Sequence, residues 1–271
     1  MSRLYTDQLK ISYGQQDIVS NLNLHIPDGK ITCIIGPNGC GKSTVLKTMS
    51  RILPAKSGAV FLDGKEISKE GTKKIAQKMA ILPQSPDAPE GLTVAELVSY
   101  GRFPYQKGLG KLTADDRDVI EWALEVTGIS AFRDKAVDAL SGGQRQRVWI
   151  AMALAQETEF ILLDEPTTYL DLSHQLEVLE LLKELNVAEH RTIVMVIHDL
   201  NHAARFAHYI VAMKDGKIVK EGTPYEVMTP DVLRMVFHID VEIGIDPRTK
   251  KPICLTYDLV HKQSRVEDVA L

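Results

Sequence analysis

Cysteine, long apolar runs and basic charge are all scarce in this chain of 271 residues. Its cysteines, Cys33, Cys40 and Cys254, have no CxxC spacing and cannot all pair within one chain. Neither a disulfide framework nor a zinc site is therefore expected, and a reducing compartment fits best. The best apolar run, Ile193 to Ile197, suits a buried strand and is far shorter than the roughly 20 residues of a membrane-spanning helix.

The charge balance gives no basic excess, because 32 Lys and Arg stand against 36 Asp and Glu, a formal net charge of −4. No basic stripe stands out, which argues against a nucleic-acid partner. The N-terminus, Met1-Ser2-Arg3-Leu4, continues into polar residues and lacks the form of a secretory signal. A chain with 44% hydrophobic and 25% charged residues is typical of a globular protein. We therefore expect a cytoplasmic protein of one large domain or two moderate ones.

Strand and helix patterns alternate along much of the chain, which predicts a largely parallel sheet covered by helices. The predicted strands are Leu4 to Tyr13, Ile18 to Ile26, Ile31 to Ile35, Phe160 to Leu163 and Thr192 to Ile197. The predicted helices are Lys42 to about Met49, His174 to about Ala188 and a short one after Asn201. Asp215-Gly216, between two apolar runs, is a strong hairpin signal.

The stretch from about Pro86 to Ala139 has helical periodicity and few strand candidates. Thr113 to Asp116 has the form of a capping box, with Asp in place of the usual Glu. One apolar helix face follows it: Val119, Ile120, Ala123, Leu124 and Val126. We interpret this stretch as a helical subdomain inserted into an α/β core.

A glycine-rich loop lies between the strand that ends at Ile35 and the helix that begins at Lys42. It matches the phosphate-binding pattern GxxxxGK[ST] in the strand–helix context that the pattern requires. Its residues are Gly36, Pro37, Asn38, Gly39, Cys40, Gly41, Lys42 and Ser43. Glycines allow phosphate oxygens close to backbone N–H groups, Lys42 supplies a charge for the β- and γ-phosphates, and the Ser43 hydroxyl is placed to bind Mg²⁺. The alternative is a plain strand-to-helix turn, and the motif alone indicates a nucleotide, not a reaction.

Two carboxylates, Asp164 and Glu165, end the apolar strand that contains Ile161 to Leu163. Successive side chains on a strand point to opposite sides, so the two acids can take different roles. We expect Asp164 to face the Mg²⁺ sphere and Glu165 to act as general base on a water. The alternative is a helix start with Pro166 in its first turn.

The segment Leu140-Ser141-Gly142-Gly143-Gln144 could be a helix N-terminus capped by Ser141. Together with the phosphate loop it resembles the signature sequence of ABC ATPases, and the chain is identified as a member of that family from about Leu4 to Gly222. The other elements of the family follow in order: Tyr13, Gln84, Asp164-Glu165, Asp171 and His198.

The resemblance implies ATP and Mg²⁺ as cofactors and assigns roles. Tyr13 would stack on adenine, although it could merely end a strand. Asn38 to Thr44 would wrap the phosphates, with Thr44 near the α-phosphate. Gln84 would contact Mg²⁺ or the attacking water, and Asp171 would lie across a dimer interface. His198 would contact the γ-phosphate, and it is preferred to His202 and His208 because only it directly follows the apolar strand.

The implied fold is a P-loop ATPase core, a mostly parallel sheet with helices on both faces and an antiparallel β subdomain, with an inserted helical subdomain. We assign the core to 1–85 and 156–237 and the helical subdomain to 86–155. A C-terminal extension, 238–271, has strand-like pieces around Asp246-Pro247-Arg248 and no assigned role. Its polar tail from about Lys262 is expected to fray.

The family also implies partners. ATP would lie between two copies of the chain, with Ser141, Gly142, Gly143 and Gln144 of one copy facing the phosphate loop of the other. A membrane permease would carry the cargo, supplied by an extracytoplasmic binding protein, and the chain would sit on the cytoplasmic face of the cell membrane. We expect the helical subdomain to dock a permease helix through apolar residues such as Leu92, Val94, Leu97 and Val98, some of which must instead pack its own core.

Three segments resemble importers of iron(III)–siderophore complexes, haem and cobalamin. They are Gly91 to Val94 continuing through Gly101-Arg102-Phe103-Pro104-Tyr105-Gln106, Val148 to Ala153, and Thr167 to Asp171. Iron–siderophore import is the preferred reading, with haem and cobalamin as alternatives. A P-loop kinase would have no reason for the signature segment. ABC ATPases that act on DNA or ribosomes usually have coiled-coil insertions or tandem units, and neither is present.

One further expectation concerns Cys40, which lies in the phosphate loop beside Lys42 and a helix N-terminus. That setting favours a thiolate. We therefore expect thiol reagents to inhibit through Cys40, with MgATP giving protection; the competing view is that Cys40 is shielded.

Overall fold

The computed structural model describes residues 2–84, 86–106 and 111–260. The tail from about Lys262, expected to fray, lies outside the described residues. The strands are β1 (Leu4–Tyr13), β2 (Gln16–Leu22), β3 (His25–Ile26), β4 (Ile31–Ile35), β5 (Ser57–Leu62), β6 (Lys65–Glu66), β7 (Met79–Leu82), β8 (Phe160–Asp164), β9 (Thr192–Val196), β10 (Tyr209–Lys214), β11 (Lys217–Gly222), β12 (Ile239–Ile245) and β13 (Pro252–Leu259). The α-helices are α1 (Lys42–Met49), α2 (Thr72–Ala76), α3 (Val94–Ser99), α4 (Ala114–Val126), α5 (Gly142–Ala155), α6 (Leu172–Glu189), α7 (Leu200–Phe206), α8 (Pro224–Val227) and α9 (Pro230–Phe237).

The central sheet has the order β11-β10-β4-β9-β8-β7. Its strands pair in parallel from β10 to β7, and β11 is antiparallel to β10. Every residue of β4, β8 and β9 is buried, because the sheet is covered on both faces. The predicted α/β fold is therefore confirmed, and so is the β10–β11 hairpin, whose turn residues Asp215 and Gly216 both have positive φ.

The second sheet is antiparallel, with the order β2-β1-β5-β6 and β3 beside β1. Helix α1 lies between the two sheets and buries Val45, Leu46 and Met49 in one core with Leu4 and Phe160. Each such side chain contributes roughly 1.5–3 kcal/mol by burial. This packing fixes the phosphate loop, because the loop joins β4 directly to α1.

Helices α3, α4 and α5 lie between β7 and β8. The predicted capping box is present, since Asp116 N donates to Thr113 Oγ1 (3.1 Å) and Thr113 N to Asp116 Oδ2 (2.9 Å). Some of the apolar residues considered for docking were expected to pack the subdomain's own core instead, and this holds for Val94, Leu97 and Val98, which are at most 1% exposed. They line the inward face of α3 and pack against α4 and α5. No helix in the described ranges has the length and apolar character needed to cross a membrane.

The segment 101–106 contains a buried arginine, Arg102, that bonds to three other parts of the helical region. Arg102 is 4% exposed, and its guanidinium donates to Asp116 Oδ1 (2.8 Å), Ala155 O (2.8 Å) and Glu157 Oε2 (2.6 Å). Arg102 thus ties the end of α3 to the start of α4 and the end of α5. Phe103, the next residue, remains 54% exposed.

The C-terminal strands β12 and β13 form a hairpin that contacts α7. The Asn201 side chain pairs with the backbone N–H and C=O of Cys254 at 2.8 and 3.2 Å. Lys251 Nζ donates to the carbonyls of Arg205 (2.9 Å) and Ala207 (2.6 Å), at the end of the same helix. The hairpin therefore holds α7 at both ends, as cationic side chains commonly hold helix C-termini.

Candidate functional site

The phosphate loop is shaped by glycines at positive φ. Gly36 has φ +154, and a Cβ there would lie 2.2 Å from the carbonyl oxygen of Met213. Gly41 has φ +105 and is the N-cap of α1. Gly36 is thus required by close packing against β10, whereas Gly39 (φ +78) has open space where its Cβ would be.

Lys42 is 5% exposed and folded into its own loop. Its Nζ donates to the carbonyls of Gly36 (2.8 Å) and Pro37 (3.0 Å). An ammonium has three donors, so one is left for a further acceptor. Together with the N–H groups at the start of α1, this makes an anion-binding concavity.

A hydroxyl and a carboxylate meet beside the loop. Ser43 Oγ donates to Asp164 Oδ1 (2.6 Å), and among the described residues the buried Asp164 Oδ2 has no hydrogen-bond partner. Lys47 Nζ approaches Oδ2 to 3.8 Å. Burial raises the pKa of Asp164, although the hydrogen bond from Ser43 opposes the rise. A buried carboxylate oxygen without a partner, next to a hydroxyl, is a donor set that fits Mg²⁺.

Glu165 lies at the junction of three strand ends. Its Oε2 accepts from Gln84 Nε2 (2.6 Å), after β7, and from Thr168 Oγ1 (3.0 Å), in the loop after β8. Its Oε1 lies 2.6 Å from Nε2 of His198, after β9. The side chain is 10% exposed. Gln84, Glu165 and His198 are therefore brought together at the carboxyl ends of parallel strands, where ligands of such sheets usually bind.

The conformation of Glu165 differs from the sequence argument. Strand alternation was expected to separate it from Asp164, but β8 ends at Asp164 and Glu165 has φ +55. A left-handed residue at the strand end turns its side chain toward Gln84 and His198. The helix start suggested by Pro166 is wrong, because α6 begins only at Leu172.

A cavity of about 610 Å³ is lined by most of these side chains, but not by Asp164. Its lining contains the predicted residues Tyr13, Asn38, Gly39, Gly41, Lys42, Ser43, Thr44, Gln84, Glu165 and His198. It also contains Ile18, Thr168 and Tyr169, to which the sequence analysis gave no part in the site. Thr168 could have been suspected from its position three residues after Glu165. Tyr13 is 51% exposed at the rim, available for stacking on a flat ligand.

Gly36, Pro37 and Cys40 do not line the cavity. Cys40 is only 3% exposed, and burial raises the pKa of its thiol. The expected reactive thiolate is therefore wrong, because loss of solvent outweighs the effect of nearby Lys42. The alternative of a shielded Cys40 fits the structure.

The signature segment and Asp171 lie outside this cavity. Ser141 caps α5 as predicted: Gln144 N donates to Ser141 Oγ (3.3 Å), and Ser141 N to Gln144 Oε1 (3.1 Å). Gly142, in the first turn of α5, is exposed. Asp171 caps α6, and hydrogen bonds from the His174 backbone and from neighbouring side chains lower its pKa to about 2. At the exposed start of α5, the backbone N–H groups do not donate to any residue that lines this cavity.

The sequence profile of the ABC transporter family matches residues 19–168. The chain belongs to this family. It is 64% identical over 269 residues, 99% of this chain and 100% of the relative, to the iron(3+)-hydroxamate import ATP-binding protein FhuC of Bacillus subtilis (strain 168). It is 45% identical to the ferric enterobactin transport ATP-binding protein FepC of Escherichia coli (strain K12), over 93% of both chains.

Solved ABC transporter structures share the fold. A protein assigned to the metal-chelate type, solved in an inward-facing conformation, aligns with a TM-score of 0.81 and 27% identity, over 93% of this chain and 96% of that one. A dimeric ATP-binding cassette in a post-hydrolysis state, bound to ADP and Pi, aligns with a TM-score of 0.71 and 30% identity, over 81% and 98%. In this chain the cavity lies at the carboxyl ends of β4, β7, β8 and β9 and is lined by residues of the phosphate-loop motif.

Proposed function

We propose that this chain binds and hydrolyses ATP to drive import of iron(III)–siderophore complexes through a separate permease. Among these complexes, ferric hydroxamates are the cargo that we favour. The observation that carries the ATPase part is Glu165, whose carboxylate is held by three side chains beside the phosphate loop. The cargo rests on the likeness to the FhuC relative along nearly the whole chain.

ATP would enter with adenine on Tyr13 and its phosphates on Asn38 to Thr44. Lys42 would direct its remaining N–H donor to a phosphate oxygen, a contact between opposite charges. Glu165 would accept a proton from the attacking water as general base. Gln84 and Thr168 would orient that carboxylate, and His198 would contact the γ-phosphate.

Ser43 and Asp164, with Gln84 nearby, would hold Mg²⁺, which supplies positive charge to the transferring phosphoryl group. Ser43 donates a hydrogen bond to Asp164 and orients its carboxylate. The raised pKa of Asp164 is consistent with a buried anion that gains from a cation.

Two copies of the chain would enclose ATP, with Ser141, Gly142, Gly143 and Gln144 of one copy facing the phosphate loop of the other. The exposed N-terminus of α5 supports this arrangement, since its N–H groups suit a γ-phosphate. Asp171 would lie in the same interface.

We retain the proposed division into a core, 1–85 and 156–237, a helical subdomain, 86–155, and a C-terminal extension, 238–271. The helical subdomain would receive a cytoplasmic permease helix. Exposed Phe103, held in place by the buried Arg102, is a better candidate for that contact than Val94, Leu97 or Val98. The chain would sit on the cytoplasmic face of the membrane, with an extracytoplasmic binding protein as an indirect partner and no nucleic acid.

Uptake of radiolabelled iron by a strain lacking this chain is the direct test. We expect loss of ferric hydroxamate uptake, restored by the wild-type chain and not by Lys42→Ala produced at the same level. Unchanged uptake of every siderophore, with no redundant ATPase present, contradicts the cargo proposal. A specific loss of haem or cobalamin uptake would instead assign those cargoes. Co-purification with ribosomes or DNA rather than a membrane protein would contradict the transport role.

A further inference from the structure

The imidazole of His174 lies between two segments that are far apart in sequence, the loop at Asp171 and the signature segment at Gly143. His174 is in the first turn of α6, and its Nδ1 lies 2.7 Å from Asp171 Oδ1. The backbone N–H of His174 donates to the same oxygen at 2.9 Å. The ring is therefore anchored on its Nδ1 side to the loop that follows Glu165.

The opposite edge of the ring meets the signature segment. A Cβ added to Gly143 would lie 2.7 Å from Cδ2 of His174, 2.9 Å from Cγ and 3.2 Å from Nε2. Real side chains do not approach so closely, and the ring cannot easily withdraw while it is bonded to Asp171. Gly143 is at ordinary helical φ, so it is this contact, not backbone conformation, that requires glycine here.

A second contact between α5 and α6 lies about one helical turn beyond the contact of Gly143 with His174. Arg147 of α5 forms an ion pair with Glu177 of α6 and donates to Thr127 O (3.1 Å), at the end of α4. Arg147 follows Gly143 by four residues and Glu177 follows His174 by three, so both contacts lie on facing sides of the two helices. The start of α5 is thus fixed against the start of α6.

We propose that His174 is a positioning residue that sets the spacing between the signature segment at Gly143 and Asp171, so that the exposed Gly142 and Asp171 reach the second copy together. This inference rests on the proposed ATP-enclosing dimer. His174 does not line the cavity beside the phosphate loop; it acts by holding the two segments in register before closure. Ordering them at the moment of dimerisation would otherwise cost free energy.

A double-mutant cycle on the full-length chain tests this, in a Glu165→Gln background that retains ATP. The variants are His174→Ala, Gly143→Ala and their combination, and the measurement is the ATP concentration that gives half-maximal dimer in analytical ultracentrifugation. We expect each single change to raise it about tenfold, the scale of coupling between contacting residues. In the His174→Ala background, Gly143→Ala should raise that ATP concentration by less than about threefold, because the imidazole that the new Cβ would meet is gone.

Ser173→Ala is the matched control. This change removes another hydrogen bond to Asp171, from Ser173 Oγ (2.9 Å), and leaves the contact with Gly143 in place. It should change the ATP concentration for half-maximal dimer by less than about twofold. ATP binding by the monomer should be the same in all variants, which separates positioning from general damage.

Equal effects of Gly143→Ala in both backgrounds, or a parallel loss of monomer ATP binding in His174→Ala, would overturn the inference while the dimer proposal stands. No ATP-dependent dimer of Glu165→Gln itself would overturn both. Non-additive dimerisation with unchanged monomer binding supports the role of His174.

Discussion

Replacing Glu165 with glutamine tests the catalytic part of the site with little change of shape. Glutamine can keep one oxygen toward Gln84 and Thr168 and can turn its NH₂ toward His198 Nε2, which accepts when the imidazole is neutral. The three contacts of the carboxylate are therefore replaceable, and ATP binding should be retained. What is lost is the negative charge and the ability to take a proton from water.

Loss of a general base slows turnover by about 10²–10⁴-fold, or roughly 2.7–5.4 kcal/mol in the barrier. We therefore expect Glu165→Gln to hydrolyse ATP at least ~10²-fold more slowly than the wild type and to accumulate as an ATP-bound dimer. Phosphate release at saturating MgATP measures the first, and sedimentation with ATP measures the second. Glu184→Gln, the same chemical change at an exposed position of α6, should leave turnover unchanged.

Turnover of Glu165→Gln within a few-fold of the wild type would remove Glu165 from the mechanism. The three contacts would then have only a structural role at the end of β8. A loss of ATP binding as large as the loss of turnover would also refute the reasoning, because it would mean that the carboxylate shapes the pocket rather than activating water.

Four further predictions follow from single contacts. Thr168→Val removes one of the bonds that orient Glu165 and should lower kcat about tenfold in phosphate-release assays with an unchanged KM for ATP. Arg102→Met leaves Oδ1 of the buried Asp116 without its cationic partner and should lower the free energy of unfolding in urea by about 3–5 kcal/mol. Ellman's reagent should react with all three cysteines in guanidinium but scarcely in the native protein, with or without MgATP, since all three are buried. Glu221→Gln should raise the melting temperature near neutral pH, because burial raises the pKa of Glu221 and its Oε2 has no partner among the described residues. That gain should vanish below about pH 4, where the carboxyl is protonated in both the folded and unfolded states.

Local signals predicted much of the fold because they depend on neighbours in sequence. The helix from Lys42 to Met49, the capping box at Thr113 and the hairpin at Asp215-Gly216 were all expected and are all present. The surfaces were harder to predict. Val94, Leu97 and Val98 lie on an apolar helix face, and sequence periodicity alone does not tell whether such a face meets the chain's own core or a partner.

In the site, too, the features that depend on sequence order were predicted, and those that depend on tertiary packing were not. The family resemblance named Gln84, Glu165 and His198 in this order along the chain, and parallel pairing of β7, β8 and β9 brings them together. The left-handed conformation of Glu165 has no sequence signal, since a non-glycine residue at φ +55 is held there by its surroundings. The pKa of the Cys40 thiol likewise has no sequence signal, because burial, and not the charge of its sequence neighbours, decides its direction. Motif residues therefore predict a nucleotide site from sequence, whereas the accessibility of their atoms follows only from the packing around them.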